Sequence, residues 1–223
     1  MYEYAKDLYK DISLTLGEVK KFTSPKSSIG SFTTHDEVSP VTLRGQAFSE
    51  MIIWLNATLP LNSYFVDGFQ TGDEYNYPMG NRPAQISYTD DEIYFTHKGK
   101  IDIFNLSRKP EGKNNYIKNN FILGNNVKHS LLPVLNNGTF SPIRTKNDKV
   151  FAYTFDYNKK MLIVIGNLNF KDEEKVSFKI PKYNNKLEVL PIKITDMPKI
   201  HNGKISHTLS AGEIIVLIDR KSV

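Results

Sequence analysis

At His35-Asp36-Glu37 an imidazole and two carboxylates follow directly on a short β-forming run, Ile29-Gly30-Ser31-Phe32-Thr33-Thr34. Side chains of these types at a strand end can grip polar groups of a ligand, and they can equally cap the turn that follows. A second acidic pair, Asp73-Glu74, ends the loop Asp67-Gly68-Phe69-Gln70-Thr71-Gly72. It can line a cleft and accept from a ligand hydroxyl, although acidic residues in glycine-bearing loops more often cap turns. Tyr75 and Tyr77, just beyond, offer ring faces to the C–H groups of a ligand or serve as loop packing. Asp90-Asp91-Glu92 lacks the alternating oxygen ligands of a calcium loop and reads as a solvated turn. His97, His129, His201 and His207 show no metal-ligand spacing, and no nucleophile elbow, phosphate loop or dinucleotide fingerprint is present. No metal and no cofactor is therefore expected.

The elements that must position these groups fall into two parts. Tyr4, Leu8, Ile12 and Leu16 recur every four residues and predict a first helix, with Gly17 as its stop. After Pro40 the row Leu43, Ala47, Met51, Leu55, flanked by Phe48 and Ile52, predicts a second helix ended by Pro60, with Trp54 in the core. Tyr64-Phe65-Val66 reads as a short buried strand. Residues 84–106 alternate with period two and predict an antiparallel meander, and a helix interrupted by Gly124 is expected from Tyr116 to Leu132. From Val150 the pattern turns to short strands: Val150 to Phe155, Met161 to Leu168, Val176 to Ile180, Leu187 to Ile194, Ile205 to Leu209 and Ile214 to Ile218. Strands at this spacing, separated by Asn, Gly and Pro, predict a compact antiparallel β-sandwich. The division is expected near Asn136-Asn137-Gly138, giving residues 1–138 and 139–223.

Composition narrows the function classes. Of the 223 residues 39% are hydrophobic and 24% charged, ordinary values for a globular protein, and no apolar run suits a membrane helix. The formal charge of +5 comes from lysines scattered along the chain, without the basic block of a nucleic-acid binder, so neither nucleic acid nor membrane is an expected partner. There is no cysteine, and the N-terminus has no apolar leader core, which together lean towards the cytoplasm.

The run Phe32-Thr33-Thr34-His35-Asp36-Glu37 resembles the motif closing the seventh barrel strand in the α-amylase superfamily, with Thr34 where Asn is commonest. Thr58-Leu59-Pro60, the strand Tyr64-Phe65-Val66 and the ending Gly72-Asp73-Glu74 resemble its eighth strand, with a longer stretch between Pro60 and Gly72. Leu131-Leu132-Pro133-Val134-Leu135 is similar to the family's last barrel helix. Phe151-Ala152-Tyr153 and Leu162 to Asn167 are similar to the first strands of its C-terminal sandwich. The resemblance runs from about Ile29 to Ile218. It implies an α/β plus all-β fold: the last two β/α units of a (β/α)8 barrel, followed by a small antiparallel β-sandwich.

The resemblance also implies chemistry. Asp36 would be the carboxylate that grips sugar hydroxyls and stabilises the transition state, His35 would hydrogen-bond the same sugar, and Glu74 and Tyr75 would line the substrate cleft. The family's nucleophile and acid/base stand on earlier strands, and a whole barrel takes about 250 residues. The expected substrate is an α-glucan or maltooligosaccharide. The expected partner is the remaining N-terminal part of the barrel, in the same chain or a separate one, without which the 223 residues should be inactive. A non-catalytic carbohydrate-binding or accessory module is the alternative.

Overall fold

The computed structural model describes residues 2–20, 29–33, 39–66, 68–72, 115–181, 187–189 and 198–220. The meander expected over 84–106 lies outside these residues.

Helix α1 (Ala5–Lys20) buries Leu8 and Ile12 of the expected row, with Ala5 beside them, while Tyr4 and Leu16 at its ends are half-buried. It runs through Gly17 instead of stopping there, since that position is exposed and nothing stands within 4 Å of a Cβ placed on it. An exposed helical glycine costs only about 1 kcal/mol, which packing elsewhere along α1 outweighs.

Helix α2 (Pro40–Ala57) starts at Ser39, whose Oγ accepts from the Thr42 backbone N–H at 3.3 Å, with Pro40 in the first turn. The single row read from the sequence is broken near its start. Gly45 adopts φ 80°, open to glycine and strained for other residues, and Leu43 is left 48% exposed. From Phe48 onward nearly every position is buried, Trp54 among them and Ser49 and Asn56 included, so this part of the helix passes through the interior. At its end the Thr58 hydroxyl donates to Trp54 O at 2.7 Å. That commits its one proton, so Tyr153, 2.7 Å away, donates its own hydroxyl to Thr58 Oγ1 and ties the helix to the sheet behind it.

Strands β1 (Ile29–Gly30) and β2 (Asn62–Ser63) flank α2 and pair in parallel. Both are shorter than expected, and β2 lies just before Tyr64-Phe65-Val66 instead of on it. The Tyr64 N–H continues to Gly30 O at 3.0 Å, after which side-chain hydroxyls replace ladder bonds. Helix α3 (Asn115–Asn137) outruns its predicted span. Gly124 does not interrupt it. A Cβ there would stand 2.6 Å from Ile53 Cγ2, so the missing side chain is what lets α2 and α3 approach.

The remaining strands are β3 (Thr139–Pro142), β4 (Val150–Tyr157), β5 (Lys160–Asn167), β6 (Glu174–Lys179), β7 (Leu187–Val189), β8 (Lys199–His201), β9 (Lys204–Leu209) and β10 (Ile214–Arg220). They form two antiparallel sheets, ordered β3-β4-β5-β10-β7 and β6-β9-β8. Polar, short β3 and β8 were not expected as strands, and of the strand expected over 187–194 only β7 is described. Alternation along the central strands serves two cores. Phe151, Tyr153, Phe155, Leu162, Val164, Ile214 and Val216 pack with the helices, while Val150, Ala152, Ile163, Ile165, Ile215 and Leu217 face Val176, Phe178 and Ile205 of the second sheet. Strands buried on both faces lose the apolar–polar alternation, which is why residues 161–168 read as a nearly continuous apolar run. The architecture is thus helices with two antiparallel sheets and one short parallel pair, with no closed barrel among the described residues.

Candidate functional site

The ends of β1 and β2 are held together by hydroxyls. Thr33, only 3% exposed, accepts the Val66 N–H on its Oγ1 at 3.2 Å. Ser31 Oγ accepts from Thr33 N at 3.0 Å and lies 2.9 Å from Tyr64 O, bridging the two segments. Because the pair is parallel, Thr33 and Val66 both mark its C-terminal end. The stretch carrying His35, Asp36 and Glu37 and the stretch leading to Asp73, Glu74, Tyr75 and Tyr77 therefore start from adjacent points on one side of the pair. Those residues themselves, like Asp90, Asp91, Glu92 and His97, lie outside the described residues.

An aromatic cluster supports this end. Phe69 stacks on Phe65 with ring centroids 4.8 Å apart, and Phe121 of α3 meets the Phe65 ring edge-on at 5.0 Å. Phe69 is almost fully buried, and the turn after it is closed by Gly72 N–H to Phe69 O at 3.0 Å. The segment 68–72 is thus pinned from below by rings worth about 1 kcal/mol per aromatic pair beyond their burial. On the other side, buried Ser39 anchors the chain where α2 begins.

His129 lies on α3, His201 on β8 and His207 on β9, and among the described residues no group of three or more His, Asp or Glu could hold a metal ion. Among those residues, too, no helix is long and apolar enough to cross a membrane.

One lysine escaped the sequence reading. Lys128 Nζ donates to the carbonyls of Asn56 and Leu61, both at 2.5 Å, and its third N–H is shared between Leu59 O and Ser63 Oγ, both at 3.2 Å. It gathers the carbonyls between α2 and β2 and so fixes the opposite, N-terminal end of β2. Only its position one turn beyond Gly124 on the packed face of α3 could have marked it. Burial pushes its pKa down to about 8 from 10.5. Between those values the unfolded chain binds more protons, so this group's contribution to stability rises with pH from about 8 to 10.5 and is flat below. Burial pushes Tyr9 up to about 12 from 10.0, so above pH 10 the unfolded chain loses protons first and stability falls. Thermal unfolding followed across this range should show Tm rising from pH 8 and turning over near pH 10. Lys128→Met should remove the rise. A rise unchanged in the variant would detach it from Lys128.

No known family model matches the chain, and no curated protein matches it in sequence. Solved structures match its fold. The α-amylase from H. orenii aligns with 98% of this chain and 45% of its own, at 19% identity and TM-score 0.64. AmyP in complex with maltotriose aligns with 99% of this chain and 46% of its own, at 17% identity and TM-score 0.68. The Bacillus licheniformis trehalose-6-phosphate hydrolase covers 96% of this chain and 46% of its own, at 17% identity and TM-score 0.63. The chain spans less than half the length of these proteins. It has an α-amylase-type fold, and the partial coverage is consistent with a C-terminal part.

Proposed function

We propose that this chain is the C-terminal part of an α-amylase-type enzyme acting on α-glucosidic bonds, with residues 1–138 contributing the last two β/α units of its barrel and residues 139–223 a β-sandwich. The observation that carries this reading is the fold likeness, which takes in nearly all of this chain and under half of each α-amylase-type neighbour. The joined ends at Thr33 and Val66 support it, because catalytic residues of such barrels gather at the C-terminal ends of the strands.

In this reading Asp36 accepts hydrogen bonds from sugar hydroxyls. As the glycosidic bond breaks and the ring gains positive charge, those hydroxyls become better donors, so the carboxylate binds the transition state more tightly than the ground state. His35 donates to the same sugar, and Glu74 and Tyr75 border the cleft. The nucleophile and proton donor, needed about 5 Å apart for retention, come from strands this chain does not contain. The substrate class is α-glucans or maltooligosaccharides, in keeping with the maltotriose bound by AmyP.

A barrel completed by a separate polypeptide is the second reading. Among the described residues β1 pairs with β2 alone, Ile29 is 75% exposed, and a cavity of about 260 Å³ between β1 and α1 is lined by Leu8, Ile12, Leu16 and Ile29. A strand edge with an apolar border is a surface that further strands would cover. Both readings predict that the purified 223-residue chain, folded by near-ultraviolet circular dichroism, releases no reducing sugar from maltooligosaccharides. Steady hydrolysis by that chain would overturn both.

A further inference from the structure

The basic residues scattered along the sequence come together in space. Arg44 of α2, Lys149 before β4 and Lys171 after β5 line a groove of about 640 Å³ with Leu43, Asn169 and Phe170. Lys6, Arg144 and Lys146 line a second groove, of about 610 Å³. Glu3 and Lys149 border the first and their chain neighbours Tyr4 and Asp148 the second, so the two adjoin. Six cations thus meet two carboxylates at the lining. Two further carboxylates stand beside the first groove: Glu174, which interacts electrostatically with Lys149 and accepts from the amides of Asn147 at 2.8 Å and Asn169 at 3.0 Å, and Asp172, which accepts from Asn169 at 3.3 Å.

The cations are braced on rings. The Arg44 guanidinium carbon lies 5.6 Å from the ring centroids of both Phe48 and Phe170, which meet edge to face at 5.2 Å. The kink at Gly45 sets Arg44 outside the helical conformation beside these rings. Lys149 Nζ sits 4.1 Å over the Tyr4 ring and gives a hydrogen bond to Glu3 O at 3.3 Å, one of the three an ammonium can make. A guanidinium lying on rings keeps its edge N–H groups for planar, bidentate recognition of an oxyanion.

We propose that these adjoining grooves bind a phosphorylated glycan, with its phosphate monoester held by Arg44, Lys149 and Lys171. A phosphate monoester carries about −1.5 to −2 charges at neutral pH and three acceptor oxygens, which suits this set of donors. The grooves are far larger than a phosphate ion, and Leu43 and Leu168 give the first an apolar border against which a sugar ring can pack. Single-stranded nucleic acid is the weaker fit, because it binds through aromatic faces on which bases stack. Here the faces of Tyr4 and Phe170 already carry cations. The proposal rests on the α-glucan reading only for the linkage of the sugar.

The full chain would be titrated calorimetrically with a maltooligosaccharide bearing a 6-phosphate, the same sugar unmodified, inorganic phosphate and an oligothymidylate. The expected result is that the phosphorylated sugar binds about tenfold or more tighter than either the unmodified sugar or phosphate, and weakens as salt is raised. Arg44→Gln with Lys171→Gln should abolish that preference at unchanged Tm. Lys171→Glu alone, at an exposed position, should weaken binding about tenfold if the double variant is unstable. Equal binding of both sugars, phosphate binding as tightly as the phosphorylated sugar, or tighter binding of the oligothymidylate would each overturn the proposal. A β-linked phosphorylated sugar bound as tightly as the α-linked one supports the groove and removes only its link to α-glucans, whereas failure of the α-glucan reading itself is read from Asp36→Asn in the complete enzyme.

Discussion

Asp36→Asn, introduced into the complete enzyme, is expected to lower kcat by about two to three orders of magnitude, the range seen when a preorganised charge-stabilising group is lost. Asparagine keeps the size of aspartate and one carbonyl acceptor, so the sugar should still dock. It loses the negative charge and one acceptor, which matter most when the ring carries positive charge. The loss should therefore fall on kcat and kcat/KM together, with KM moving little. Thermal stability should change by no more than about 0.5 kcal/mol, since the substitution conserves volume. His35→Ala, which removes a donor to the same sugar without touching the charge, should act more on KM. Turnover of the wild-type order in Asp36→Asn would end the assignment of Asp36 and leave the fold likeness untouched.

Why Asp36 could be singled out while Lys128 could not is a matter of range. Asp36 stands in a short string beside His35, after a strand and before a capped helix, and all of that is local in sequence. The start after Pro40 and the row from Phe48 to Leu55 were legible for the same reason: helix starts and apolar faces are written within a few residues. The paired strand ends at Thr33 and Val66 depend on a contact across 33 residues, and Lys128 meets Asn56 O across 72. Such contacts leave no periodic trace. Gly17 and Gly124 were misread in the same direction, as breaks, because a glycine's helical cost is local and its tertiary benefit is not. At Gly124 the benefit is the close approach of Ile53. The two-sided burial of β4, β5 and β10 was visible only as an unusually apolar run, since sequence does not say what covers each face. The basic grooves show the limit most plainly, for their lysines and arginines come from four separate stretches of chain.

The interior of α2 offers the largest stability effects. Trp54 has no exposed surface and packs in the cluster that joins the helices to the central sheet. Trp54→Ala should therefore cost about 3–5 kcal/mol, a large part of the roughly 5–15 kcal/mol that holds a typical domain folded. Trp54→Phe separates two terms that alanine confounds. It gives up part of the indole's volume, which costs cavity and transfer energy. It also removes the indole N–H, which has no hydrogen-bond partner among the described residues. An unpaired buried donor carries a penalty of about 1–3 kcal/mol. The gain opposes the loss, so Trp54→Phe should lie within about 1 kcal/mol of the wild type, which urea unfolding at constant m-value would measure. Should phenylalanine cost as much as alanine, ring volume would not be what sets the stability of this helix, since phenylalanine leaves much the smaller cavity. The indole N–H would then be no burden, and the polar tie between α2 and the sheet would rest on Thr58 and Tyr153, which the substitution leaves in place.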